Sequence, residues 1–151
     1  MRYLGVDPGD KRIGIAVSDL SGTIANPHSV INHVQREKDA IQIISIAEET
    51  GARKIIIGQA LTVDGDPSPS GRKSARLAIA IQTKTTIPVV LWDESGSTDK
   101  ARQARFEMGV KKKKRRGHMD DLAATVILQS YLDVFGNESK ANTENIGALD
   151  D

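Results

Sequence analysis

The sequence predicts an α/β protein in which a mixed five-stranded sheet carries helices on both faces. A hairpin pattern opens the chain, and apolar residues at helical spacing follow it. Two continuous runs of mostly β-branched residues then alternate with further helical patterns, which is typical of parallel strands joined by helices. The predicted order is β-β-β-α-β-α-β-α-α in 151 residues, a length that suits one domain.

The start of the chain has two strand-like runs that flank strong turn chemistry. The runs are residues 3–6 and 12–18, and residues 8–11 between them read Pro-Gly-Asp-Lys. Because proline, glycine and aspartate favour tight turns, we expect an antiparallel hairpin here. A second turn leads to a third predicted strand over residues 23–30.

Helical spacing begins after the third strand. Within residues 35–50, four apolar residues recur at i, i+3, i+4 and i+7, and Gly51 is placed to end the helix; they are Ala40, Ile43, Ile44 and Ala47. The remaining predictions are strands at 54–58 and 88–92, a loop at 63–71, helices at 72–82 and 98–108, and a last helix from residue 119.

The last residues differ in composition from the rest of the chain. Residues 136–151 are polar, acidic and without apolar periodicity, which predicts a disordered tail. The predicted folded domain is therefore residues 1–135.

The charge of the chain is unevenly distributed. The net charge is +1. Six adjacent cations contribute +6, so the charges of all other residues sum to −5. These cations are Lys111, Lys112, Lys113, Lys114, Arg115 and Arg116. Such a basic run favours binding to a polyanion, of which nucleic acid is the commonest. A solvated loop is the alternative interpretation.

Several classes of protein are disfavoured by composition. The chain has no cysteine, which excludes disulfides, zinc–thiolate sites and cysteine nucleophiles. No apolar stretch is long enough to cross a bilayer, and the first residues do not resemble a signal peptide. We therefore expect a cytoplasmic protein with no membrane partner.

Acidic residues fall at the ends of three predicted elements. Asp7 closes the first strand, Glu94 follows the last strand, and Asp120 opens the final helix. If the first and last strands lie near each other, these carboxylates can converge on Mg²⁺ or Mn²⁺, which prefer oxygen ligands. Two such ions can activate water and stabilise the leaving oxygen of a phosphodiester. Each residue also has a simpler interpretation, as a turn residue, a surface residue or a favourable first-turn charge.

Four segments together resemble the motifs of the YqgF/RuvX family. Residues 4–14 resemble its opening motif, residues 64–65 the second, residues 89–98 the third and residues 119–132 the fourth. The match covers nearly all of the chain except the tail. Members of this family are described as Holliday-junction-resolvase-like proteins and as candidate pre-16S rRNA nucleases.

The resemblance implies an RNase H-like fold and a divalent-metal nuclease site. Position by position, the acidic triad of the family falls on Asp7, Glu94 and Asp120, which would be both catalytic and metal-binding. The implied cofactor is Mg²⁺ or Mn²⁺. The basic run Lys111 to Arg116 would bind substrate.

This sequence departs from the family pattern at three positions. Ser95 replaces an arginine that usually follows the acidic pair, Ala60 replaces a proline, and His118 stands where lysine is frequent. Loss of the arginine removes a bidentate partner for phosphate or carboxylate. The triad itself is unchanged.

The implied function is an endonuclease that processes the 5′ end of pre-16S rRNA in ribosome biogenesis, as a monomer or weak homodimer. Branched DNA such as a Holliday junction is the alternative substrate to structured RNA. A non-catalytic RNA-binding relative is another alternative. An actin-like phosphotransferase is disfavoured, because such enzymes need two facing domains and this chain is long enough for one.

Overall fold

A computed structural model describes residues 1–93 and 122–136 of the chain. Its centre is one five-stranded sheet in the order β3-β2-β1-β4-β5. The strands are β1 (Arg2–Pro8), β2 (Arg12–Ser18), β3 (Ala25–Asn32), β4 (Ala52–Gln59) and β5 (Val89–Asp93). The helices are α1 (Arg36–Thr50), α2 (Pro69–Gln82) and residues 122–136, which we call α3.

The sheet combines two kinds of pairing. Strands β1, β2 and β3 form an antiparallel meander, whereas β1, β4 and β5 are parallel to one another. Parallel neighbours require crossover connections, which α1 and α2 provide. The predicted mixed five-stranded sheet is confirmed.

The β1–β2 turn depends on a glycine. Pro8 pairs with Ile13 at the end of the ladder, so the chain must reverse direction within the three residues between the strands. A Cβ atom on Gly9 would lie 2.4 Å from the carbonyl oxygen of Arg12. Because that distance is far shorter than any normal contact, only glycine fits this position.

The sheet has a separate apolar layer on each face. Leu4, Val6 and Ile57 pack with α1 and α2 on one face, whereas Tyr3 and Ile56 pack with α3 on the other. The central strand β4 is buried on both sides, which explains its continuous apolar run in the sequence. Helices on both faces are therefore confirmed.

Helix α2 begins earlier than predicted. Residues 69–71, assigned to a loop from their composition, form its first turn, and the prediction of a start at residue 72 is wrong. The Ser68 hydroxyl caps the helix by accepting a hydrogen bond from Gly71 N–H at 3.0 Å, and Pro69 occupies the first turn. Serine followed by proline is a helix-start signal, although the same residues also favour loops.

The third strand starts two residues later than predicted. Asp19 accepts hydrogen bonds from the backbone N–H groups of Thr23 at 2.8 Å and Ile24 at 3.0 Å, and from the Ser21 hydroxyl at 2.6 Å. These bonds hold residues 23 and 24 in the turn, so the ladder begins at Ala25.

Two predictions fall largely outside the described residues. The helix predicted at 98–108 lies there, as does all of the predicted tail after residue 136. Residue 136 itself lies in the described part of α3. The division into a domain and a tail stays a prediction. Within the described ranges, no helix is both long and apolar enough to cross a membrane.

The Asp19 turn makes a testable contribution to acid stability. The hydrogen bonds from Ser21, Ile24 and Thr23 lower the pKa of Asp19 from 3.8 to about 2. A lowered carboxyl pKa stabilises the fold above the unfolded value, and this stabilisation is lost as the pH falls from 3.8 towards about 2. Asp19→Asn should therefore unfold at lower denaturant concentration than wild type at neutral pH and at the same concentration below pH 2. A constant difference across this range would contradict the assignment.

Candidate functional site

Asp7 lies at the carboxyl end of β1, on the sheet face covered by α3. It is half-buried and pairs with Gly14 of β2 inside the ladder, before the β1–β2 turn begins. Side chains alternate along a strand, so Asp7 shares its face with Gly5 and Tyr3. The backbone of Asp7 therefore belongs to the ladder, ahead of the β1–β2 turn.

The end of β5 lies level with the end of β1, but β4 separates the two strands. Val6 pairs with Ile57 and Ile57 pairs with Leu91, so the three residues form one row across the sheet. Two ladder spacings put the strands about 10 Å apart. The expectation that the first and last strands lie near each other therefore holds only across an intervening strand.

Most of the predicted site residues lie outside the described ranges. Glu94 follows Asp93, the last residue of β5, and Asp120 precedes the described part of α3 by two residues. The basic run from Lys111 to Arg116 and the two departures Ser95 and His118 also lie outside. Of the predicted triad, the structure describes Asp7.

Helix α3 runs antiparallel to β1. A Cβ atom added to Gly5 would lie 2.7 Å from Leu128 Cβ and 3.0 Å from the carbonyl oxygen of Ala124. Nearer the start of β1, the ring of Tyr3 lies 6.0 Å from that of Tyr131. Moving along β1 towards Asp7 therefore means moving along α3 towards its N-terminal end.

Polar contacts fix α3 across the sheet. The Lys54 ammonium of β4 donates to the Tyr131 hydroxyl at 2.6 Å, and Trp92 Nε1 of β5 donates to the Ser130 hydroxyl at 3.2 Å. Gln129 accepts from Ala25 N–H at 2.8 Å, which ties the helix to β3. The position of α3 relative to β1 is thus set by contacts with strands on either side of β1.

Trp92 belongs to the packing of α3. Its ring lies 5.3 Å from Tyr131 and 5.5 Å from Phe135, in edge-to-face arrangements. The interpretation of this residue as part of the core, and not as a platform for stacking bases, agrees with these contacts.

His33 is a residue that no sequence pattern singles out, and the structure gives it a defined partner. Its Nδ1 is hydrogen-bonded to a carboxylate oxygen of Asp39, whose side chain is buried. Asp39 also accepts from Val34 N–H at 3.0 Å. The two residues are six apart and straddle the start of α1, a spacing that matches no common motif. The burial of Asp39 results from the packing of α1 against the rest of the protein, so the sequence pattern alone does not predict it.

The described residues do not form a metal centre by themselves. Across residues 1–93 and 122–136, no three His, Asp or Glu side chains are grouped closely enough to hold an ion. A metal site with three such ligands at Asp7 would therefore take ligands from outside these ranges.

Comparisons with known proteins agree with this architecture. Thermus thermophilus RuvC, solved in complex with a Holliday junction substrate, matches with a TM-score of 0.58 and 15% identity over 90% of this chain and 96% of its own. The fowlpox virus resolvase, solved with Holliday junction DNA, matches with a TM-score of 0.54 and 13% identity over 89% of this chain and 99% of its own. At these identities the likeness shows the fold, which is that of the RNase H-like nucleases.

Closer relatives are found by sequence. A protein of Thermoanaerobacter pseudethanolicus named "Putative pre-16S rRNA nuclease" is 40% identical over 88% of this chain and 96% of its own. A protein of Clostridioides difficile with the same name is 39% identical over 87% of this chain and 94% of its own. The family model described as "RuvX: Holliday junction resolvase" matches residues 1–134.

The chain therefore belongs to the RuvX family, also called YqgF. It is a nuclease, a hydrolase that acts on phosphodiester bonds.

Gly5 should control the placement of α3. Gly5→Ala puts a methyl group into Leu128 and the α3 backbone, so the helix must shift away from β1. We expect a loss of about 1–3 kcal/mol in unfolding free energy, typical of overpacking, and a larger proportional loss of nuclease activity. Chemical denaturation and cleavage assays measure the two effects.

Ile56→Val is the matched control, because it removes one methylene from the same apolar layer and pushes nothing outward. The control should lose a comparable part of its stability and keep its activity. Equal activity in Gly5→Ala and Ile56→Val would show that the helix position does not matter for cleavage.

Proposed function

We propose that this protein is a divalent-metal-dependent endonuclease that cleaves structured RNA, with the 5′ end of pre-16S rRNA as its substrate. The names of its relatives support the RNA substrate. The structural observation that most supports the proposal is that α3 crosses β1 at Gly5 with its N-terminal end towards Asp7. This arrangement supports a site at the carboxyl edge of the sheet.

The proposed site consists of three carboxylates from three separate elements. Asp7 comes from β1, Glu94 would come from the end of β5, and Asp120 would come from the start of the last helix. The level ends of β1 and β5 and the direction of α3 support this grouping. The longer side chain of glutamate suits the strand that lies farther from the helix crossing.

The donor set fits a hard divalent cation. All three groups are carboxylates, and the chain contains no thiol that would favour zinc. We propose Mg²⁺ or Mn²⁺, held by Asp7, Glu94 and Asp120. When bound, such ions make a water molecule more acidic and offset negative charge on the leaving oxygen of a phosphodiester.

The chain's own residues orient and restrict this site. Asp7 is held in the ladder by its pairing with Gly14, which fixes the direction of its side chain. The apolar layer under α3, which includes Tyr3 and Ile56, lies on the same face of the sheet as Asp7. A ligand whose backbone is already fixed needs less ordering when it binds an ion.

We further propose that the protein acts in the cytoplasm as a monomer or weak homodimer. Its basic run, Lys111 to Arg116, would contact phosphates of the substrate. Branched DNA is a second candidate substrate, supported by the description of the family as Holliday junction resolvases. Shape and phosphate contacts dominate recognition in both cases, so the two substrates call for similar surfaces.

Asp7→Asn tests the proposed site. We expect cleavage of a pre-16S rRNA 5′ fragment in Mg²⁺ to fall by more than about 100-fold, because loss of even outer-sphere partners of a metal costs roughly 10–100-fold. The thermal midpoint in EDTA should stay the same or rise, since one charge is removed from a carboxylate cluster.

Asp133→Asn is the control for Asp7→Asn. Asp133 is an exposed carboxylate at the far end of α3, where it accepts a hydrogen bond from Gln129 at 3.0 Å. This variant should cleave like wild type. Retained cleavage in Asp7→Asn, or a large drop in its midpoint, would support a purely structural role for Asp7.

The basic run has its own test, a variant in which Lys111, Lys112, Lys113 and Lys114 are changed to Gln. RNA binding should weaken, and the slope of log K against log salt should fall by about 0.7–0.9 for each phosphate that the variant no longer neutralises. Folding stability should change by about 0.5 kcal/mol or less, as is usual for exposed charges.

The same four positions changed to Arg keep the charge and should keep the slope. Slopes measured on one structured RNA and one branched DNA show which substrate the run serves. Unchanged slopes on both substrates would remove the run from the proposed mechanism.

A further inference from the structure

A cavity of about 440 Å³ lies at the same edge of the sheet as Asp7 but on the opposite face. Pro8 and Gly9 form one wall, directly after Asp7 in the chain, and Ile13 and Leu77 form the apolar floor. The alternation of side chains along β1 turns Pro8 towards the α1 and α2 face. The cavity and the Asp7 site are thus separated by the thickness of the β1–β2 hairpin.

Cations from two helices line this cavity. Arg36 is the first residue of α1, and Lys73 and Arg76 lie one turn apart on α2. Both arginines are exposed and make no hydrogen bond or ion pair with any other described residue. Lys73 contacts Asp10 at 3.2 Å, but both side chains are mostly exposed, and such pairs contribute little. Two guanidinium groups are therefore available to an anion.

His33 adds a positioned ring to the same cavity. Its Nδ1 is held by the buried carboxylate of Asp39, which Val34 N–H also contacts. This contact fixes the orientation of the ring, as carboxylates do for many ligand-binding histidines. Within the described residues, Nε2 of His33 has no partner. A ring fixed at one nitrogen is suited to contact a ligand with the other.

We propose that this cavity binds a phosphate group of the RNA strand whose cleavage site lies at Asp7, an inference that rests on the proposed function. Planar guanidinium groups match the geometry of phosphate oxygens. Residues 8–10 line the cavity and directly follow Asp7 in the chain, so a strand that leaves the cleavage site across the β1–β2 turn would enter it. The lining carries three cationic side chains against two carboxylates, those of Asp10 and Asp39, so its net charge is positive.

The test is the double variant Arg36→Gln/Arg76→Gln, compared with Lys38→Gln/Arg72→Gln. The control removes the same two charges from the same two helices at exposed positions that do not line the cavity. RNA binding is measured by fluorescence anisotropy at several salt concentrations in EDTA, where no cleavage occurs.

The cavity variant should bind RNA at least about tenfold more weakly than wild type, since hydrogen bonds between charged groups are the strongest ones. Its salt slope should fall by about 0.7 for each phosphate of a single strand that it no longer neutralises. The His33 ring resonances in NMR spectra should shift on addition of RNA to wild type and not to the cavity variant. The control should behave like wild type.

Equal losses of affinity in both variants, or no loss in either, would overturn the proposal. A parallel titration uses inorganic phosphate alone. If phosphate shifts the His33 resonances while the RNA slope is the same in wild type and the cavity variant, the cavity takes a free phosphate and the RNA assignment is wrong. A cavity variant that loses RNA binding in a protein that never cleaves RNA would instead contradict the proposed function and leave the cavity assignment standing.

Discussion

The close approach of α3 to β1 at Gly5 is the contact on which the candidate site depends. A side chain at residue 5 would collide with Leu128 and with the backbone at Ala124, so the helix lies where only glycine permits it. That contact sets how far the N-terminal end of α3 stands from Asp7. The polar contacts of Lys54 and Trp92 with the same helix then prevent it from rolling or sliding.

The sheet between the two helical layers makes this placement rigid. Residues 55–57 of β4 are fully buried, because one face packs on α1 and α2 and the other on α3. Burial of both faces of a central strand leaves little freedom for the strands on either side. The ends of β1 and β5 are consequently held level, two ladder spacings apart.

Sequence patterns predict the individual helices and strands better than they predict which of these elements lie side by side. The hairpin, the double-sided burial of β4 and the end of α1 at Gly51, with φ 74°, follow from local chemistry and are confirmed. The start of α2 escapes prediction because Ser68 and Pro69 serve loops and helix starts equally well. Strand order depends on contacts between residues far apart in the sequence, so the position of β4 between β1 and β5 is known only from the folded structure. The His33–Asp39 pair escapes prediction for the same reason.

Paramagnetic broadening by Mn²⁺ tests whether the α3 crossing places a metal site beside Asp7. In NMR spectra of the full chain, substoichiometric Mn²⁺ should broaden the amide signals of Asp7 and Ala124 and spare Gly51 at the opposite edge of the sheet. Asp7→Asn should lose this broadening. Broadening centred on the exposed carboxylates Asp64 and Asp66, or unchanged broadening in Asp7→Asn, would show that Asp7 does not hold the ion.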